Sequence, residues 1–269
     1  MDITLVTFFF DINRHEWSRF TRPITQYFDS FDNYLKYNHK MIAYVDSRHI
    51  DRIVRQKESL CANNVNIIAI DEQWLEKNIF AWSKLQKERE IMARNDYKNL
   101  LSARVHIQYP ENTKPEYTIL THSKIDFVNY TIEKNISDTE YYMWSDFGLL
   151  DSMTDTSEHY PTGPLSLNKF NKNTINLNCM NPIDNMDRDV TYTLINAPEK
   201  LMGGTFFGNT KNLKQFQQLY HKHLEIFQAN NIADDEQHIF LRCYFDRPEL
   251  FTVNCMHGKW RMCLKHYCQ

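Results

Sequence analysis

The chain has 269 residues, of which 42% are hydrophobic, 24% charged and 14% aromatic, and a formal net charge of −3. Such a length and apolar content can bury one sizeable core. The aromatic content argues against a disordered chain, and the near-neutral charge gives no electrostatic footprint for a nucleic-acid partner.

Met1 to Asp11 is apolar but too short to cross a membrane, and it lacks a basic leader and a small-residue cleavage site. No transmembrane segment and a cytoplasmic location are therefore expected. Ile3 to Phe10 is β-branched and aromatic, which predicts a strand buried on both faces and ending at Asp11. Trp17, Phe20, Tyr27, Phe28 and Phe31 then recur at helical spacing. A second strand, Met41 to Val45, ends at Asp46, and Ser47 can cap the helix carrying Ile50, Ile53, Val54 and Leu60. A third strand, Val65 to Ile70, ends at Asp71. Alternating strands and helices of this kind predict an α/β domain whose central sheet is mixed but mostly parallel and flanked by helices.

Residues 72–105 are charged and helical in pattern. Lys114 to Asn135 predicts one helix entered through Pro115, and Tyr141 to Trp144 a short aromatic strand stopping at Ser145-Asp146. Residues 149–172, rich in Ser, Thr, Asp and Asn, predict a long loop. Val190 to Ile195 and Leu201 to Phe207 read as strands, Leu213 to Gln228 as a helix, and Asp234 to Cys243 as the start of another. The six cysteines Cys61, Cys179, Cys243, Cys255, Cys263 and Cys268 form no Cys-x-x-Cys pair. They fit buried or partly buried thiols in a reducing compartment, with a C-terminal metal or disulfide cluster as the alternative.

No glycine precedes Gly148. The N-terminal half therefore cannot hold a glycine-rich phosphate loop or a dinucleotide fingerprint. A phosphorylated ligand would have to be gripped by charge and metal. In open α/β sheets ligands lie beyond the carboxyl ends of the strands, where Asp11, Asp46, Asp71 and Asp146 stand. Asp71, just before a helix, reads as a cap. Asp146, after Tyr141 to Ser145 and before Phe147-Gly148, reads as a carboxylate pinned at the rim of a buried strand, suited to a hard divalent cation.

Several blocks together resemble the bacterial HtrL/YibB family. They are Thr7-Phe8-Phe9-Phe10-Asp11-Ile12-Asn13-Arg14 with Trp17, Tyr27 and Phe28; Lys124-Ile125-Asp126-Phe127; Met143-Trp144-Ser145-Asp146-Phe147-Gly148; Gly203-Gly204-Thr205-Phe206-Phe207-Gly208; and Asp234-Asp235-Glu236-Gln237. The similarity covers nearly the whole chain. It implies a single GT-A-like, Rossmann-like domain over residues 1–269, with a nucleotide-sugar-binding half (1–148) and an acceptor-side half (149–269). It also implies a glycosyltransferase, found in surface-polysaccharide contexts and in large DNA viruses; a viral chain would act in the host cytoplasm. The expected donor is a nucleotide-sugar, most simply a UDP-sugar, and the expected acceptor a glycan or glycoprotein.

In that reading Asp146 holds Mn²⁺ or Mg²⁺, although Gly148 stands where GT-A enzymes usually carry a second aspartate. His257, in Cys255-Met256-His257-Gly258-Lys259-Trp260, is a candidate further ligand. Phe8, Phe9, Asp11, Arg14, Asp46, Lys124 and Ser145 face the donor, with Lys124 steadying the leaving diphosphate. Gly203 and Gly204 let a sugar approach the backbone. Asp235, with Glu236 second, serves the acceptor as general base or steadies oxocarbenium-like charge, while Asp234 caps the helix. The 149–172 loop closes over the donor. The rival reading is a non-catalytic carbohydrate- or partner-binding protein that keeps the fold, and the missing second aspartate is its support.

Overall fold

The computed structural model describes residues 2–37, 39–104, 108–150, 160–161, 163–257, 259 and 262–268. Strand β1 (Ile3–Phe9) is followed by helix α1 (Ile24–Tyr37), β2 (Met41–Asp46), α2 (Ile50–Ser59), β3 (Val65–Ile70) and α3 (Glu72–Asn78). Then come α4 (Leu85–Ala93), α5 (Asn95–Leu101), α6 (Pro110–Thr113), α7 (Pro115–His122), α8 (Lys124–Glu133) and β4 (Tyr141–Ser145). The rest of the chain adds β5 (Ile175–Cys179), α9 (Val190–Asn196), β6 (Leu201–Asn209), α10 (Thr210–Ala229), α11 (Glu236–Asp246), β7 (Phe251–Cys255) and α12 (Cys263–His266).

The seven strands form one sheet in the order β3-β2-β1-β4-β6-β5-β7. β1 runs parallel to β2 and β4, β2 parallel to β3, and β5 parallel to β7. Only β6 is reversed, antiparallel to both β4 and β5. The result is the mixed, mostly parallel α/β sheet expected. It is built from strands of both halves of the chain.

Successive side chains of a strand point to opposite faces, and each face has its own core. Leu5 and Phe9 of β1 join Phe28, Phe31 and Tyr34 of α1, Ile53 of α2 and Leu264 of α12. Val6 of β1 and Trp144 of β4 face the other way. They join Leu75, Ile119 and Phe127 of α3, α7 and α8 and Phe216 and Phe240 of α10 and α11. A strand buried on both faces must be apolar throughout, which is why β1, β2 and β4 were legible as continuous runs.

Four expectations are corrected. Val190 to Ile195 is helix α9, because Asp189 accepts hydrogen bonds from the backbone N–H groups of Thr191 and Tyr192 at 2.8 and 3.2 Å, a cap that outweighs the β-branched composition. The single helix of 114–135 is two, broken at Ser123, whose Oγ donates to Ile119 O at 2.8 Å. Ser47 is not a cap; Asp46 accepts from Arg48 N at 2.9 Å and starts a short 3₁₀ turn there. Strands β5 and β7 lie where none was expected. Asp71 is a cap as read, accepting from Trp74 N at 2.7 Å. Much of the expected 149–172 loop, residues 151–159 and 162, lies outside the described residues. No described helix is long and apolar enough to cross a membrane.

Candidate active site

From β1 the chain crosses to β2 on one side, while β4 lies on its other side. The carboxyl ends of β1 and β4 therefore diverge into a crevice, the place where open α/β sheets bind ligands. A cavity of about 510 Å³ opens there, and its wall includes Phe8, Phe9, Arg14, Lys124, Asp146 and Glu236. Phe8 stacks on Phe127 and Phe9 on Phe147, with ring centroids 4.5 and 5.2 Å apart, so both are held rigidly at the floor.

Alternation along β4 sets its last residues. Ser145 turns to the α1 layer, where its Oγ lies 2.5 Å from Tyr34 Oη. Trp144 and Asp146 turn the other way, and Trp144 Nε1 donates to Asp146 Oδ1 at 2.8 Å. Asp146 N donates to Gly204 O at 2.9 Å. The expected donor residue Ser145 is thus off the cavity wall, for the same period-2 reason that puts Asp146 on it.

Lys124 opens α8, just past the Ser123 break. Its ammonium donates to Glu236 Oε1 at 2.6 Å, to Gly203 O at 3.0 Å and to Asp146, 2.9 Å from Oδ1 and 3.2 Å from Oδ2. The Lys124 and Glu236 side chains are 7% and 6% exposed and that of Asp146 is 37%, so Asp146 is the member of the triangle open to a ligand. Burial disfavours the Lys124 charge, but the two carboxylates outweigh it and raise its pKa. Burial likewise disfavours the Glu236 carboxylate, yet Lys124 holds it below its ordinary range. Both groups are therefore charged at neutral pH. Gly203 is required here: a Cβ on it would lie 1.7 Å from Glu236 Oε1.

At the start of α11 the expected cap moves by one residue. Asp235 is the cap, accepting from Gln237 N at 3.0 Å, and it also lies on the cavity wall. Asp234 is not the cap. It is fully buried and receives His238 Nδ1 at 2.5 Å and both terminal nitrogens of Arg104 at 3.2 Å. Burial, together with the neighbouring Glu236 and Asp234, pushes Asp235 up to about 8.

The remaining expected residues divide. Asp11 and Arg14 reach the wall. Asp11 is also held by Asn13 N at 2.8 Å and His49 Nε2 at 3.0 Å. Arg14 lies over the Trp17 and Tyr117 rings. Asp46 lies instead on a smaller neighbouring cavity, buried and engaged by Arg48 and by Asp11 N at 3.1 Å. His257 is exposed and off the wall, with its Nδ1 3.7 Å from Cys255 Sγ. The structure adds Arg22, Tyr27 and Tyr117 to the wall. The helical spacing expected from Trp17 and Phe20 onward is corrected: α1 starts only at Ile24, and residues 17–23 are an irregular segment that brings Arg22 to the wall. The clue available was a third basic residue, after Arg14 and Arg19, in the crossover that follows a strand-end acid.

For a divalent cation the described wall offers Asp146 Oδ2. Oδ1 accepts from Trp144 and Lys124, whereas Oδ2 accepts from Lys124 alone, at 3.2 Å. One carboxylate oxygen fits Mg²⁺ or Mn²⁺ only where ligand phosphates and water complete the shell. Asp234, Asp235 and His238 also bring ligand atoms within 4.8 Å of one another. The Arg104 guanidinium on Asp234 opposes a second cation there.

A family model described as "Bacterial protein of unknown function (HtrL_YibB)" matches residues 1–268. The chain belongs to the HtrL/YibB family. It is similar to the Protein HtrL of Escherichia coli (strain K12), 26% identical over 270 residues, spanning 96% of this chain and 89% of that relative. Family membership carries no activity, so the function rests on the chemistry of the site.

Proposed function

We propose that this HtrL/YibB chain is a glycosyltransferase of GT-A type. It would move a sugar from a nucleotide-sugar, in the first instance a UDP-sugar, to a glycan or glycoprotein acceptor. The observation that carries the reading is the Lys124 ammonium set between Asp146 and Glu236 on a cavity at the divergence of β1 and β4. The cationic groups Arg14, Arg22 and Lys124 share that cavity with the aromatic floor of Phe8 and Phe9. Such a wall suits a diphosphate flanked by flat or apolar groups.

In this mechanism Lys124 stays protonated and meets the charge that grows on the leaving diphosphate. A Mg²⁺ or Mn²⁺ ion bound at Asp146 would supply Lewis-acid stabilisation of the same oxygens. Trp144 fixes the Asp146 carboxylate, so no reorganisation is needed during reaction. Gly203, lacking a side chain, leaves Glu236 its place beside the reacting sugar. Glu236 is ionised at neutral pH and is the stronger candidate for the carboxylate that takes the acceptor proton or steadies oxocarbenium-like charge. Asp235 would be largely protonated below about 8, so it can donate a hydrogen bond while its Oδ1 accepts from Gln237 N. The six free cysteines are compatible with the expected cytoplasmic setting.

The test is release of free UDP from a panel of UDP-sugars with Mn²⁺ or Mg²⁺. The wild type should release UDP, and Asp146→Asn should lower the rate by at least about 100-fold, the scale of one lost electrostatic contact. Near-normal turnover in Asp146→Asn would sink the assignment. A second reading, a carbohydrate- or partner-binding protein without catalysis, is favoured by one observation: Lys124 pairs with both carboxylates, and Gly148 supplies no second acid. Under that reading no UDP appears.

A further inference from the structure

Cys179 ends β5, Cys255 ends β7, and the two are register partners in a parallel pair. Neighbouring strands run roughly 4.8 Å apart, inside the roughly 4.4–6.8 Å Cα separation that a disulfide bridges. Both side chains face the same layer, that of α10 and α11. Burial, with the neighbouring Cys255 thiol, pushes Cys179 up to about 12. Access separates them: Cys179 is buried and Cys255 half-buried. His257 adds an independent feature. Its φ of 48° lies in the left-handed region, which histidine enters more readily than most residues, and the turn returns the imidazole to Cys255, Nδ1 lying 3.7 Å from Sγ.

We propose that Cys255 is a thiol modification site for a low-molecular-weight disulfide such as oxidised glutathione, with Cys179 as its resolving partner. His257 takes the Cys255 proton, and the Cys255 thiolate attacks one sulfur of the glutathione disulfide. That S–S bond breaks, a Cys255–glutathione bond forms, and the first glutathione leaves as a thiolate that is then protonated. The Cys179 sulfur then attacks the Cys255 sulfur, the mixed disulfide breaks, and the second glutathione leaves as a thiolate that takes up the proton Cys179 gives off. Two protein thiols are oxidised and one glutathione disulfide is reduced to two thiols. The new bond staples the edge strand β7 to β5. Met180, next to Cys179, lies on the cavity wall, and Met256 N donates to Cys179 O at 2.7 Å, so oxidation fixes that wall. The inference stands whether or not the chain transfers sugars.

The test incubates the folded full chain with oxidised glutathione, blocks free thiols by alkylation and maps peptides without reduction. A Cys179–Cys255 linked peptide is expected. Cys179→Ala should accumulate glutathione on Cys255, and Cys255→Ala should leave Cys179 unmodified. His257→Asn should slow the first step by roughly tenfold, as expected when a thiol loses an adjacent base. The proposal is overturned if Cys255 stays free under conditions that label the exposed Cys61. It is equally overturned if the linked peptide forms only in urea-unfolded protein. Should Cys179→Ala fail to fold, the wild-type map alone decides between these outcomes.

Discussion

Glu236, Lys124 and Gly203 form a mutually dependent set, so their single variants should fail in different ways. Glu236→Gln keeps the shape and a hydrogen-bond acceptor for Lys124. UDP release should drop by about 10²–10⁴, the range for a lost general base, with little change in melting temperature. Lys124→Met leaves the Glu236 carboxylate buried without its cation, an arrangement that costs about 3–5 kcal/mol. That variant should be plainly destabilised by urea titration, and Lys124→Met with Glu236→Gln should recover part of the loss. If the double variant is no more stable than Lys124→Met, the ion pair is not the origin of the effect. Gly203→Ala forces Glu236 aside, since the added carbon falls 1.7 Å from its Oε1. It should lower stability by about 1–3 kcal/mol, as overpacking does, and turnover with it. Lys124 and Asp146 could be singled out in the sequence because each adjoins a strongly patterned element. Glu236 was harder to rank over Asp235, since adjacent acids at a helix start differ only in the rotation that the cap imposes.

At the scale of the element, α11 depends on Asp235 for its start, and the side chain also faces the cavity. Two substitutions separate these duties. Asp235→Asn keeps an acceptor for Gln237 N, whereas Asp235→Ala loses it at a cost of about 1 kcal/mol. The expected outcome is a lower melting temperature for Asp235→Ala only. Loss of UDP release in Asp235→Asn at an unchanged melting temperature would instead give Asp235 a part in the chemistry. Elements were legible where burial is two-sided and the run apolar, as in β1, β2 and β4. They were illegible where a polar side chain does structural work inside the core. β5 reads Ile-Asn-Leu-Asn-Cys, and its buried Asn178 is satisfied by Thr205 Oγ1 at 2.8 Å and Tyr267 Oη at 2.6 Å. Those partners lie far along the chain, so no local pattern announced the strand. The helix α9 was misread for the converse reason: its β-branched residues speak for a strand, and one aspartate decides otherwise.

For the whole molecule, pH and ligand set stability from opposite sides. Glu88 is fully buried, with Oε2 accepting from Gln228 Nε2 at 2.7 Å, while Oε1 has no hydrogen-bond partner. Burial, aided by the Asp234 charge, pushes it from its ordinary 4.5 up to about 8. In that window the unfolded chain has lost the proton that the folded chain keeps. Glu88 therefore lowers stability as pH rises, by on the order of 1.4 kcal/mol per pH unit at most. Glu236, held low by Lys124, acts in reverse: its contribution is present above the ordinary carboxylate range and fades as pH falls through its folded value. Glu88→Gln should therefore flatten the decline of urea-unfolding stability between pH 5 and pH 8, and an unchanged slope would remove Glu88 as its source. Ligand adds a term of known size. A nucleotide that binds only the folded chain at 100 times its Kd contributes about 2.7 kcal/mol, and 1 kcal/mol moves the midpoint of a domain approaching this length by about 2–4 °C. Saturating UDP should raise the melting temperature by about 5–10 °C on those figures, more with Mn²⁺ than without if Asp146 helps to hold the ion. Arg14→Gln should reduce the shift without lowering the unliganded midpoint by more than about 0.5 kcal/mol, the usual scale for a substitution away from the core. The shift should also shrink with added salt, because the diphosphate is gripped by charge on a partly open wall. A flat response to UDP with and without metal would count against the nucleotide-sugar reading and leave the Lys124 triangle as a structural feature of the fold.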